Sequence, residues 1–389
     1  MRAVLTLLAA AALAATAAAA SGVCNAHFGP ATGVADEDAT AVFLTDAAKS
    51  DGAVCLDGTP GAYYFRAGLP GVNKWYIHHQ GGGWCESPED CLGRSKTNLG
   101  SSSKYPAKAS LGGGYFSQDP KENPMMATWN MVFIRYCDGG SFSGSNFTTL
   151  NVDGTRLYLR GHHILQAVMA DLQTRDIGKA TDVVISGCSA GGLATYLHVD
   201  EWRSQLSQAT KVVGLPDSGF FLDVEDPIAS EQLGETTPGN YHDGLRWVFQ
   251  AQNASSGVNQ DCIEAHRSTG DTWMCMFAEH TAPHIKTPVF ALQSKYDSWQ
   301  SDHVLSTKTD AMMNALGANI TSRLQANLLS NPHNGAFLDG CYHHCGRWGE
   351  ILPIDGDEQS TAFLKFYYGI TEQTFWNQDV TYPCDKCCI

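Results

Sequence analysis

Five residues, Gly187-Cys188-Ser189-Ala190-Gly191, constrain this chain more than any other stretch. Before them, residues 182–186 are a short β-branched run that reads as a strand. After them, residues 190–203 carry Leu193, Tyr196 and Leu197 at helical spacing. A strand that enters a helix through so few residues has to turn sharply. Large side chains flanking the serine would clash in that turn, and glycine removes them. Such strand-turn-helix units build a parallel sheet covered by helices on both faces.

The rest of the chain continues the alternation. Residues 74–79 read as a strand running into Gly81-Gly82-Gly83, and residues 129–136 as a strand bounded by Cys137-Asp138-Gly139-Gly140. Residues 155–174 carry Leu157, Ile164, Leu165, Val168 and Leu172 at helical spacing. Further strands are expected at 211–215 and 288–293, and a closing helix at 361–368. Residues 99–114 and 225–240 read as long surface loops. No repeat, linker or charge block interrupts the pattern, so residues 21–389 are expected to form a single α/β domain.

Residues 1–20 read as a signal peptide. Arg2 supplies the positive start, and Leu5 to Ala20 is almost wholly Ala and Leu, with cleavage expected near Ala20 or Ser21. The run is too short for a membrane anchor and no stop-transfer charges follow it; no later stretch is long and apolar enough to span a bilayer. Secretion places the 13 cysteines in an oxidising compartment, where disulfides are the default. Short loops favour Cys85–Cys91, Cys262–Cys275 and Cys341–Cys345 as pairs. The count is odd, and Cys188 is expected to be the free thiol because the tight turn leaves little room for a bridge. Asn146, Asn253 and Asn319 open Asn-x-Ser/Thr triplets, which fit a secreted glycoprotein. The net charge of −15 argues against nucleic acid and anionic membranes as partners.

The chemistry follows from the turn. Ser189 would sit at the carboxyl edge of the sheet and at a helix N-terminus, where the dipole favours negative charge developing on a bound oxygen. That is the nucleophile elbow of an α/β-hydrolase-like fold. The glycine run after the first long strand suits an oxyanion loop, with the backbone N–H groups of Gly83, Trp84 and Ala190 as donors. In this fold an acid and then a histidine follow the serine. Asp297 lies just past the strand at 288–293; Asp302 is a more distant rival. His333, His343 and His344 follow in loops. Spacing does not choose between His343 and His344. Cys341, His343, His344 and Cys345 also have the makeup of zinc ligands, but the compartment favours disulfides.

Together these segments resemble the pectin acetylesterase family, which includes the Notum-type palmitoleoyl-protein carboxylesterases. The carrying stretches are Gly81-Gly82-Gly83-Trp84-Cys85, residues 135–142, residues 186–195, residues 217–223, Tyr296-Asp297-Ser298-Trp299-Gln300 and Cys341-Tyr342-His343-His344-Cys345. The likeness runs from about residue 51 to 368 and is closer to the plant-type enzymes. It implies a secreted serine esterase with nucleophile Ser189, acid Asp297 and base His344, the histidine just before a cysteine. It also implies an acylated polysaccharide as substrate and no cofactor or metal. Two departures touch the pocket: Gln80 stands where plant members usually have Glu, and Gly346 where they have Gln.

A monomeric enzyme deacetylating an extracellular polysaccharide is the leading expectation. A deacylase of lipid-modified protein would need a deep apolar pocket. A non-catalytic glycan-binding protein on a hydrolase scaffold is disfavoured by the intact Ser, Asp and His.

Overall fold

Runs such as Val183-Val184-Ile185 need a strand buried on both faces, and this governs the architecture. The computed structural model of the protein describes residues 39–224, 241–305, 307–346, 348, 351–384 and 386–388. Residues 1–20, Cys24 and the loop expected at 225–240 lie outside them. The strands among the described residues are β1 (Ala39–Phe43), β2 (Ala62–Arg66), β3 (Lys74–His79), β4 (Lys108–Ala109), β5 (Asn130–Ile134), β6 (Asn146–Val152), β7 (Thr155–Leu159), β8 (Asp182–Cys188), β9 (Lys211–Asp217), β10 (Phe290–Ser294), β11 (Gly335–Asp339) and β12 (Phe375–Asn377). Ten form one sheet in the order β12-β11-β10-β9-β8-β3-β5-β2-β1-β4, and β6 pairs with β7 separately. From β12 to β5 all pairings are parallel. β2, β1 and β4 add antiparallel pairings at one edge.

Side chains of the parallel strands alternate between two cores. Trp75, Ile77, Val183, Ile185 and Leu338 share one core with Ile164, Val168, Leu193 and Leu197 of the helices Gly161–Gln173 and Ala190–Ser204. Tyr76, Val184, Val213 and Phe337 share the other with Phe363 and Tyr367 of the helix Gln359–Tyr368. The expected doubly covered, mostly parallel sheet is present.

The chain leaving β3 goes on to β5 on one side of it, whereas the chain leaving β8 returns as β9 on the other. The connections therefore diverge at the carboxyl ends of β3 and β8 and leave a crevice, the usual ligand position in such sheets. The loop after β3 carries Gly83 and Trp84; the turn after β8 carries Ser189.

Two expectations are corrected. Residues 155–174 are not one helix: residues 155–159 are β7, and the helix begins at Gly161. Val152 pairs with Thr155 across Asp153-Gly154, both at positive φ. An Asp-Gly pair is a strong hairpin signal, and it overrides the helical spacing of Leu157. The cysteine pairing also differs. Cys85–Cys91 and Cys262–Cys275 are present, but Cys188 bridges Cys345, and Cys341 bridges Cys388. Cys55–Cys137 and Cys384–Cys387 complete six disulfides, and no free cysteine remains among the described residues. Cys188 ends β8 ahead of the turn, at the edge where the loop carrying His344 crosses, so it does have room for a bridge. No helix among the described residues is long and apolar enough to cross a membrane.

Candidate active site

Ser189 caps the helix Ala190–Ser204 with φ +61° and ψ −126°, a backbone state that costs a non-glycine residue about 1–3 kcal/mol. The turn is over-determined by close packing. A Cβ on Gly191 would lie 2.0 Å from the carbonyl oxygen of His79. The Ser189 N–H donates to the Asp217 carbonyl at 2.9 Å, which ties the turn to the end of β9. Ala190 opens the helix, so its N–H has no intrahelical acceptor.

Asp297 follows β10 and is fully buried. It is both a helix cap and a histidine partner. Its Oδ1 accepts from the Gln300 N–H at 2.8 Å, and its Oδ2 accepts from His344 Nδ1 at 2.8 Å. This leaves His344 Nε2, which is buried and has no partner among the described residues. With Nδ1 held by a carboxylate, Nε2 is the acceptor of a neutral imidazole. The Cys188–Cys345 bridge joins the residue before Ser189 to the residue after His344, with a Cα separation of 5.8 Å.

His343 has its own carboxylate. Its Nε2 donates to Asp339 Oδ1 at 3.0 Å. Burial pulls this imidazole down, but Asp339, then Asp217 and Asp297, push it further up, to about 9. An imidazolium at neutral pH has no lone pair to take a proton, so the two adjacent histidines differ in chemistry. A base raised in the folded state stabilises it fully below its unfolded pKa, and that contribution is lost as pH rises through the folded value. Denaturant midpoints are therefore expected to fall between pH 7 and 10, and the fall should shrink in His343→Gln. Parallel curves for the two proteins would refute the assignment.

The rivals lie elsewhere. Asp302 is exposed and pairs with Lys308, and His333 is exposed in a turn. Cys341 and Cys345 are both in disulfides, so the four-residue zinc set is not assembled.

After β3 the loop adopts φ +65° at Gly83, where a Cβ would meet nothing within 4 Å. The N–H groups of Gly83 and Trp84 have no acceptor among the described residues. The Trp84 indole donates to Ser141 Oγ at 2.7 Å, and that hydroxyl donates to the Ala190 carbonyl at 2.7 Å. Ser141 thus couples the loop after β3 to the turn after β8.

An aromatic wall stands beside His344. Trp84 meets Phe221 at 5.0 Å and Trp299 at 5.5 Å, and Phe221 meets Trp299 at 5.2 Å, all edge to face. The His344 ring lies 6.2 Å from Phe221. Rings at such separations are in van der Waals contact.

Sequence reading assigned no part to Ser141, Phe221 or Trp299. Trp299 lies two residues past Asp297 and Ser141 within the run 135–142, so position in those motifs was the available signal. Both departures make hydrogen bonds within the fold. Gln80 is buried, and its Oε1 accepts from the Tyr136 N–H at 3.0 Å. The Gly346 carbonyl accepts from the Tyr115 hydroxyl at 3.1 Å.

Comparison with known proteins gives the family and the fold. The Pectinacetylesterase family model matches residues 34–389. Pectin acetylesterase 5 of Arabidopsis thaliana is 34% identical over 381 residues, covering 91% of this chain and 86% of that protein. Palmitoleoyl-protein carboxylesterase NOTUM of Homo sapiens is 31% identical over 252 residues, 63% of this chain and 49% of its own. The crystal structure of the Wnt deacylase Notum from Drosophila superposes with a TM-score of 0.78 over 90% of this chain and 99% of that one, at 24% identity, a likeness of fold.

Proposed function

Because the chain belongs to the pectinacetylesterase family and is a carboxylic-ester hydrolase, we propose that it is a secreted serine esterase releasing acetyl groups from pectin or a similar acetylated polysaccharide. Residues 1–20 direct it to the secretory route, and residues 21–389 are the single esterase domain. Ser189 Oγ attacks the ester carbonyl while His344 Nε2 takes its proton. Asp297 holds the imidazole and stabilises its protonated form. The N–H groups of Gly83, Trp84 and Ala190 receive the oxyanion. The tetrahedral intermediate collapses, the C–O bond to the sugar breaks, and His344 returns the proton to the departing hydroxyl. Water then attacks the acyl-enzyme with His344 as base, releasing acetate and restoring Ser189.

The observation that carries this reading is the unpartnered His344 Nε2 on a loop bridged to the turn of Ser189. The small acyl group is supported by the rings of Trp84, Phe221 and Trp299, which pack against one another beside His344.

A p-nitrophenyl ester series from acetate to palmitate tests it. One methylene is worth only about 1–3 kcal/mol in a pocket, so kcat/KM should be highest at acetate and fall progressively. A maximum at octanoate or longer would support a lipid deacylase instead. Failure of a fluorophosphonate probe to label Ser189 would support a non-catalytic scaffold.

A further inference from the structure

We propose that Arg94 is a positioning residue for the oxyanion-binding loop, orienting the N–H groups of Gly83 and Trp84 by gathering the carbonyls of the same peptide units on the opposite side. This rests on the esterase reading above. Arg94 ends the helix Pro88–Arg94, which the Cys85–Cys91 bridge folds back onto the glycine run. Its Nη2 donates to the carbonyls of Gly82 at 2.7 Å and Gly83 at 3.4 Å, its Nη1 to that of Trp84 at 3.5 Å, and its Nε to that of Leu99 at 3.1 Å. The guanidinium lies 5.1 Å from the Tyr136 ring, and the Tyr136 hydroxyl donates to the same Gly83 carbonyl at 2.7 Å.

In a trans peptide the C=O and N–H bonds lie in one plane and point in opposite directions. The Gly82 carbonyl shares its plane with the Gly83 N–H, and the Gly83 carbonyl shares its plane with the Trp84 N–H. Turning both carbonyls onto Arg94 aims both N–H groups away from it, and neither has an acceptor among the described residues. In the next unit the Trp84 carbonyl also faces Arg94, but the Cys85 N–H is already committed to the Gly139 carbonyl at 3.0 Å. Arg94 thus accompanies two open donors and one closed one. Its charge is permanent, and its rigid fork reaches several acceptors at once, which a lysine ammonium on a flexible stem does not. A cation on the carbonyl side also polarises each amide towards a more positive N–H. A Cβ on Gly83 would meet nothing within 4 Å.

The test uses Arg94→Ala and Arg94→Lys of the full chain, each titrated to completion with a fluorophosphonate so that rates are per active site. Loss of one oxyanion donor typically costs ~10²–10³ in kcat. Arg94→Ala is expected to lose about 10²-fold or more in kcat with KM little changed. The Ki of an aryl trifluoromethyl ketone, which forms an oxyanion on the enzyme, should rise by the same factor. Millimolar guanidinium should restore part of the Arg94→Ala rate, and Arg94→Lys should recover little. A lower Tm with unchanged kcat per titrated site, or an unchanged ketone Ki, overturns the proposal. If the wild type fails to label at Ser189, the esterase reading itself fails, an outcome separate from that of the Arg94 variants.

Discussion

Ser189→Ala is expected to lower kcat by about 10⁴–10⁶-fold while leaving the Tm close to that of the parent. The size follows from the roles proposed: without Oγ there is no acyl-enzyme, and only the oxyanion donors and substrate binding remain to assist water. His344→Ala should match it, because members of a triad act as a unit and their losses do not add. His343→Ala should be far milder in kcat. His343 is an imidazolium held by Asp339, whereas His344 offers a buried, unpartnered Nε2 and is held by Asp297. The decisive comparison is kcat for the two histidine variants measured on p-nitrophenyl acetate. A dead His343→Ala beside an active His344→Ala would reverse the assignment.

The second large effect concerns the bridge between the loops that carry Ser189 and His344. Replacing Cys188 and Cys345 together by serine should reduce both stability and turnover. The two cysteines are 157 residues apart, which in the chain-entropy model corresponds to about 5 kcal/mol. Turnover per folded molecule should fall as well. The bridge sets the distance between the backbones that carry Ser189 and His344, and a displacement of about 1 Å can cost about 10²-fold. Replacing Cys262 and Cys275, which close a 13-residue separation remote from these loops, provides the control. That pair should lower Tm with kcat per folded molecule unchanged. Equal kcat in the two double variants would show that the Cys188–Cys345 bridge stabilises the fold without positioning the histidine.

Much of the machinery was legible because its signals are local. The strand-turn-helix run around Ser189 has one workable geometry, since only glycine fits where position 191 meets the His79 backbone. The strand at residues 74–79 is legible to the residue, because its run of large side chains is followed, after Gln80, by three glycines. The place of Asp297 just past a late strand is also legible, and there its carboxylate meets His344. What failed locally failed for identifiable reasons. The Asp153-Gly154 hairpin competes with a helical spacing downstream, and the turn prevails because both residues adopt positive φ. The short Cys341–Cys345 loop was taken as a bridge because closing a short loop costs less entropy than closing a long one. In the folded protein that advantage does not matter, because the sheet has already brought Cys188 to Cys345 and Cys341 to Cys388.

The sequence alone determined the doubly covered parallel sheet, the strained turn at Ser189, and the order of serine, acid and histidine along the chain. Each depends on side-chain size, periodicity or backbone freedom over a few residues. Only the tertiary structure decided which sulfur meets Cys188, which rings close beside His344, and that Arg94 faces the carbonyls of the glycine loop. Those partners come from the ends of different strands, and the carboxyl edge collects them at distances of a few ångströms. Separation along the chain carries no information about which of them will be neighbours there, because the sheet order, not the loop length, sets the contact.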